Sequence, residues 1–575
     1  MPPPGPGPGP APDFSVQVSP AAVGITQGGA GTAVNLNITP LNGFNTNVTV
    51  TVLGLPAGVT SIPASPFSVA AGSAQAVTIS ASAAASAGSV ALTFQGSSGA
   101  LLHSAGVSLS ISAPPPANAI SVTLNTAQQF QTWTAWRVTP GGPQFHLSNG
   151  ATQLAPPAVI SAYLDDAVFD LGLTGVRIEL HELLGVESTN DNNDPNVINW
   201  AAFDFLRPFV LEGSLRQPTL RYQQILMPFK QRVESTGETF HSYISPIYSR
   251  SAWPAHWQNP EEYAELAEAF VTWLRDPARN GIGTGLTPTY WAVVNEPDLN
   301  NFTDAEIAAH ILAVGARFQA RGIPTRMTTL EAAGPDLAML NSVLNVPGVR
   351  NYTGLLTYHG YDYFTDMPSE FVRRNGFRTA AQSIGAQTGM SEICCKAGWD
   401  RGGWVEALGF ARDIYWNMTE ADISTWEPLG LVGPCSSPGC PNGGGPPIVL
   451  DADLSRYFKF ATYYALRQYS HFIRPGARRL GLVCNNCASD PASGIVWKGV
   501  AFRTPAGKIV SVAVNDQLIA RAVVLDGFPA GTYDIIGVDP VNDRSPVTYP
   551  SVTIGAGQSL TVNFPAQAIL TIVQR

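Results

Sequence analysis

From residue 13 to residue 113, apolar and polar positions alternate, as in Phe14-Ser-Val16-Gln-Val18, Val34-Asn-Leu36-Asn-Ile38 and Val107-Ser-Leu109-Ser-Ile111. A period of two puts every second side chain on one face, the mark of a half-buried strand. Short strands broken by Gly, Pro and Asn turns predict an immunoglobulin-like β-sandwich over 13–113. This stretch has neither Cys nor Trp, so it is not of the antibody type. Residues 1–12, MPPPGPGPGPAP, predict an extended linker, and Pro114-Pro115-Pro116 marks the far boundary.

Beyond residue 118 the period changes repeatedly. Strand-like runs fall at 131–136, 175–181, 242–245, 290–294, 325–330, 354–358, 388–393 and 422–426, with helical spacing between them. One such helix is Pro260–Arg275, with Glu261 and Glu262 in its first turn; in another, Thr303 is the N-cap of a helix running to Arg321. Eight β/α units predict a closed (β/α)8 TIM barrel, an α/β catalytic domain over 118–479. The tail, 480–575, returns to strand patterning and predicts a fused C-terminal β-sandwich, with 120–130 joining it from ahead of the barrel.

Composition narrows the function. The 575 residues carry a net charge of -10 and only 13% charged residues, about half the usual share. No Lys/Arg cluster offers a nucleic-acid footprint, and no run reaches the roughly 20 apolar residues of a membrane span. Polarity comes from Ser, Thr, Asn and Gln, which suits a secreted protein meeting neutral, hydroxyl-rich partners. Of the six cysteines, Cys435 with Cys440 and Cys484 with Cys487 are spaced for short disulfides. The regular double CxxC of a zinc ribbon is absent. Asn190-Asp-Asn-Asn-Asp194 lacks the Gly and distal Glu of a calcium loop and reads as a polar rim.

Barrel chemistry lies at the C-terminal ends of the strands. The acidic residues there are Glu179, Glu296, Glu331, Glu392 and Glu427. Glu296 follows the apolar run of the fourth strand inside Asn295-Glu296-Pro297, and Glu392 ends the seventh. Two carboxyls facing one another across a narrow mouth are what glycosidic bond cleavage requires. Thr425-Trp426-Glu427-Pro428 copies the first motif but lacks its Asn. Here Trp426 is expected to be a ring under the sugar, and Glu427 a hydrogen-bond partner or a loop residue. Glu331 and Glu179 are expected to make ion pairs or sugar contacts.

The Asn-Glu-Pro of the fourth strand and the Glu of the seventh resemble clan A glycoside hydrolases. Ser470-His-Phe-Ile-Arg-Pro-Gly476, at the end of the last helix, is similar to the join between barrel and sandwich in glycoside hydrolase family 30. The likeness spans about residues 118–575. It implies a retaining hydrolase without metal or other cofactor. By position Glu296 matches the acid/base, Glu392 the nucleophile, Asn295 a contact to the sugar 2-hydroxyl, and Arg177 an arginine near the nucleophile. The sequence departs from the family at Gln131-Thr-Trp-Thr-Ala-Trp136, where a Gly-Phe-Gly stretch is usual, and at Ile393-Cys394-Cys395.

Tyr361, in Tyr358-His-Gly-Tyr361, is placed to hydrogen-bond the nucleophile, with His359 beside it. His181 and Trp253 also fall at the mouth and are candidates for sugar contact. The expected protein is a monomeric, secreted β-glycosidase acting on a polysaccharide or oligosaccharide. A non-catalytic carbohydrate-binding or adhesion protein, and a transglycosylase using the same glutamates, are the rivals.

Overall fold

The computed structural model describes residues 10–114, 116, 118–146, 152–180, 192, 194–211, 214–247, 254–283, 285–361, 367–394, 403–434, 446–487, 489–490, 494–495, 497–555 and 557–575. Eight parallel strands close a barrel: β1 (Ala135–Val138), β2 (Gly175–Leu180), β3 (His241–Pro246), β4 (Tyr290–Trp291), β5 (Arg326–Thr328), β6 (Thr353–His359), β7 (Gln387–Glu392) and β8 (Ile423–Trp426). The first strand was expected at 131–136, but the preceding residues belong elsewhere. Gln129 and Thr132 pair with Leu480 and Arg478 in the tail sheet, whereas Ala135 and Trp136 pair with Thr425 and Trp426.

Alternation along the strands sorts the side chains into two layers. Trp291 and Tyr358 point outward into the helices. Trp291 donates its indole N–H to the Tyr263 hydroxyl on the helix Pro260–Arg275, at 3.0 Å. Tyr358 donates to Asn417 on the helix Trp404–Glu420 at 2.5 Å. The inward positions are unusually polar for a barrel, whose interior is ordinarily Val, Ile and Leu. They include Arg137, Arg177, Tyr243, Ser245, Thr357, His359 and Thr425, all buried. Bulk here is matched by a small neighbour. A Cβ on Gly175 would lie 2.9 Å from Arg137 Cγ and 2.6 Å from the His241 carbonyl, so β2 has no side chain at that point.

Helix termini carry the caps their sequences predict. Thr303 forms a reciprocal capping box with Glu306 on the helix Asp304–Ala320, and the Asn259 side chain accepts from Glu261 at the start of Pro260–Arg275.

The tail forms one nine-stranded sheet that recruits Ile120–Thr132 between Arg478–Cys484 and Arg521–Asp526. Trp497 and Phe564, from strands far apart in that sheet, stack edge-on at 6.2 Å, so the sheet curls over a core of its own. The opposite face of Ile509–Asn515 presents Val510, Val512 and Val514 to the barrel. That two-sided burial explains the unbroken apolar run there. Residues 13–112 form a four-stranded and a five-stranded sheet around a separate core. The two β regions touch where Ser110 donates to Gln558 at 3.1 Å. Cys484 and Cys487 are disulfide-bonded, while Cys435 and Cys440 lie outside the described residues. Among the described residues no helix is long and apolar enough to cross a membrane.

Candidate active site

The C-terminal ends of β2 to β8 deliver a ring of ionisable groups to one mouth. Past β4 the backbone keeps pairing, with Asn295 N–H donating to the Pro246 carbonyl at 2.9 Å. It then turns at Glu296, whose φ of 46° is left-handed. Glu331, just past β5, is also left-handed at 71°, and its carbonyl accepts the Glu296 N–H at 2.9 Å. Left-handed backbone at a non-glycine residue costs of order 1–3 kcal/mol and persists only where neighbours enforce it. Asn300 supplies part of that enforcement, donating to the Asn295 and Glu296 carbonyls at 3.1 and 3.0 Å.

A bulge aims β7. Its register against β6 moves from Tyr358–Met390 to His359–Glu392, leaving Ser391 as the extra residue. Ser391 therefore turns to Glu331, donating at 2.8 Å, while Glu392 projects into the mouth.

An oxygen of Glu296, an oxygen of Glu392 and a ring nitrogen of His359 lie within 4.8 Å of one another. Glu296 is the more open of the two glutamates, with 21% of its side chain exposed against 8% for Glu392. Glu392 is gripped from both sides: Arg177 donates to Oε2, and the Tyr361 hydroxyl donates to Oε1 at 2.7 Å. The other terminal nitrogen of Arg177 donates to Asn295 Oδ1 and, at 3.1 Å, to the Ser245 hydroxyl. His359 Nδ1 faces Glu296 at 3.2 Å and Glu392 at 3.8 Å, while Nε2 faces Glu331 at 3.5 Å.

The charges support one another. Burial opposes the charge on Arg177, but Glu392, Glu331 and Glu179 outweigh it and hold the guanidinium well above its ordinary range. Burial likewise opposes protonation of His359, yet Glu392, Glu296 and Glu331 carry it up to about 10. Burial pushes Glu331 up, and the His359 bond with the charges of Arg177 and His359 brings it down to about 2. Burial, then the Glu392 charge, push the Tyr361 hydroxyl up, so it stays a donor. Glu427 differs: burial drives it to about 8 despite Arg137 at 3.3 Å.

Glu296, His359 and Glu392 are the trio whose ligand atoms come close enough for a cation among the described residues. A ligating imidazole must be neutral. Here the surrounding carboxylates favour the ring's proton, and both Glu392 oxygens already accept hydrogen bonds. The trio forms an ion-pair cluster with Arg177 and Glu331.

Six of the sequence-derived site residues thus meet: Glu296, Glu392, Asn295, Arg177, His359 and Tyr361. Trp426 does not join them. It is fully buried between barrel and helices, and its indole N–H donates to Asp413 on Trp404–Glu420 at 2.7 Å. Glu427, one position on, points inward to Arg137 and Thr139, so alternation forces Trp426 outward. His181 and Trp253 lie outside the described residues, as does most of 190–194. Arg137, Tyr243, Ser245 and Ser391 were missed. Their signal was a polar side chain at every second position of a strand otherwise buried on both faces.

Fold and site together define an eight-stranded β/α barrel with its ionisable cluster at the C-terminal mouth and a sheet fused to its outer wall. Solved structures are similar to it in fold. A GH30 endoxylanase from Clostridium papyrosolvens C71 is similar at 17% identity and a TM-score of 0.54, over 79% of this chain and 100% of that one. The catalytic domain of GH30 xylanase C from Talaromyces cellulolyticus is similar at 16% and 0.56, over 79% and 100%. A GH51 arabinofuranosidase from Xanthomonas axonopodis pv. citri is similar at 12% and 0.52, over 80% and 100%. At these identities the likeness is one of fold, and it is the fold that the sequence resemblance implied. No family model and no curated protein matches the chain.

Proposed function

We propose that this chain is a retaining β-glycoside hydrolase cleaving a β-linked cell-wall polysaccharide or oligosaccharide by double displacement. The observation that carries the reading is the approach of Glu296 and Glu392 to within 4.8 Å across the mouth. Retaining enzymes hold their carboxyls about 5–5.5 Å apart, whereas inverting ones leave about 6.5–9.5 Å for a water. In this mechanism Glu392 attacks the anomeric carbon while Glu296 gives its proton to the departing oxygen. Water then cleaves the glycosyl-enzyme with Glu296 as base. Arg177 and Tyr361 orient the nucleophile. With Oδ1 committed to Arg177, Asn295 has its amide N–H groups for a sugar hydroxyl.

The likeness in fold to two xylanases supports a polysaccharide substrate. The low charge and the Cys484–Cys487 disulfide support a secreted protein. Residues 13–113 are read as an immunoglobulin-like unit, 118–479 as the catalytic barrel and 480–575 as a sandwich bound to it. The test is a panel of aryl β-glycosides and plant polysaccharides, with the product anomer followed by proton NMR. Net retention is expected, with turnover lost in Glu296→Gln at unchanged melting temperature and in a folded Glu392→Gln whose melting temperature falls because Arg177 loses its charged partner. Inversion, or near-native turnover in both variants, would refute the reading.

A further inference from the structure

Glu331 is fully buried, so no sugar reaches it. Its oxygens are nevertheless crowded with groups that serve the mouth. Ser391 donates to Oε1 at 2.8 Å, while His359 Nε2 and an Arg177 terminal nitrogen face Oε2, each at 3.5 Å. Its backbone carbonyl also accepts the Glu296 N–H at 2.9 Å. Nearly every partner is one step from a mouth glutamate. Ser391 precedes Glu392, Arg177 donates to Glu392, and His359 lies between Glu296 and Glu392.

We propose that Glu331 is a positioning residue that anchors Ser391, Arg177 and the Glu296 backbone, and that makes His359 a donor from both ring nitrogens. The physical reason is the donor inventory. A carboxylate only accepts, and a neutral imidazole has one donor and one acceptor nitrogen. His359 has Glu296 and Glu392 on one side and Glu331 on the other, so a neutral ring would aim a lone pair at a carboxylate. Arg177 from β2 opposes the ring's charge, while Glu179 (β2), Glu296, Glu331 and Glu392 favour it; Glu427 (β8, beside Arg137) is kept uncharged up to about 8 by burial. Tyr243 (β3) and Tyr361 (β6) face the cluster as hydroxyls raised by burial. The high affinity of His359 for its proton and the low affinity of Glu331 agree with that balance.

The role in turnover rests on the glycosidase reading, whereas the charge state of His359 does not. The experiment is histidine-selective nitrogen NMR on the full chain from pH 5 to 9, with His359 identified by the signal lost in His359→Gln. The native ring is expected to stay an imidazolium throughout. In Glu331→Gln it titrates within about pH 5–8, and the rate profile gains an ionisation there, with kcat lowered about tenfold or more. Ser391→Ala removes one donor but keeps the Glu331 charge, so it lowers kcat with His359 still charged. A native His359 that is neutral at pH 7, a folded Glu331→Gln with His359 charged to pH 9, or an unchanged kcat in Ser391→Ala would each overturn the role. A native chain that cleaves no glycoside while His359 stays charged would sink the glycosidase reading instead.

Discussion

Arg177 and Glu392 stand on β2 and β7, on different sides of the barrel, yet they share a buried ion pair whose second arm reaches Asn295, just past β4. One planar guanidinium therefore fixes the spacing of three strand ends. A lysine ammonium is a single point charge without that fork. Arg177→Lys is expected to lower kcat/KM about 100-fold, the scale of a displacement near 1 Å in a reacting group. It also lowers the melting temperature, because a buried pair with one partner disturbed is costly. Steady-state kinetics with calorimetry checks both, and native kinetics in a folded variant would remove Arg177 from the mechanism.

Tyr361 makes a simpler contribution. Its hydroxyl donates to Glu392 at 2.7 Å and to the Cys394 sulfur at 3.6 Å. A hydrogen bond to a charged group contributes about 1.5–3 kcal/mol. Tyr361→Phe is therefore expected to lower kcat by about 10- to 100-fold at 1.36 kcal/mol per decade, with little change in KM or melting temperature. A variant that loses substrate affinity and keeps kcat would make Tyr361 a sugar contact instead.

Trp426 separates the two faces of β8. Because its ring packs among Trp136 and Phe410 and donates to Asp413, Trp426→Phe is a stability variant. Loss of the bond to Asp413 and of some packing is expected to cost about 1–3 kcal/mol in denaturant unfolding. KM should stay within about twofold, since no part of the ring reaches the mouth. A large rise in KM at native stability would restore the sugar-platform role.

The misreading of Trp426 shows where sequence legibility ended. Strand positions were visible because the apolar run before Asn295-Glu296-Pro297 must be buried, and its proline stops the ladder just where a carboxyl emerges. Glu392 was visible in turn as the carboxyl ending the strand-like stretch 388–393. Facing was harder. A strand end offers adjacent residues to opposite faces, and Trp426 and Glu427 are both chemically suited to a sugar site. The deciding fact was Arg137, 290 residues earlier (427 − 137), which claims Glu427 for the interior. Glu331 had been expected to form an ion pair or touch sugar. Its role as a buried hub depends on a bulge at Ser391 and a left-handed turn at Glu296, neither of which leaves a residue-type signature.

Core connectivity predicts how the chain tolerates cutting. Val500, Phe502, Val510, Val512 and Val514 of the tail share one core with the barrel, and Thr571 donates to Gln468 of the last barrel helix at 2.6 Å. A chain ending at 479 uncovers that wall and is expected to be insoluble or to lose near-ultraviolet circular dichroism. The 13–112 core is separate, so a chain beginning at 118 is expected to keep the native melting transition of the barrel. A stable, cooperative chain ending at 479 would contradict the shared core.

The pH dependence of stability isolates His359. An unfolded imidazole releases its proton near 6.5, and the folded one only near 10, because Glu392, Glu296 and Glu331 surround it. Its stabilising contribution is therefore whole below pH 6.5 and shrinks as pH rises, by at most about 1.4 kcal/mol per unit, until it is gone above 10. Glu427, raised to about 8, adds loss in the same direction between its unfolded value near 4.5 and 8. Glu331, lowered to about 2, acts oppositely: its contribution is present above 4.5 and fades as pH falls through 2. Denaturant unfolding at intervals from pH 6 to 10 should thus show declining stability, and His359→Gln should flatten the decline above pH 8, where Glu427 no longer contributes a slope. An unchanged slope in that variant would mean that the ring carries no proton the unfolded chain has lost.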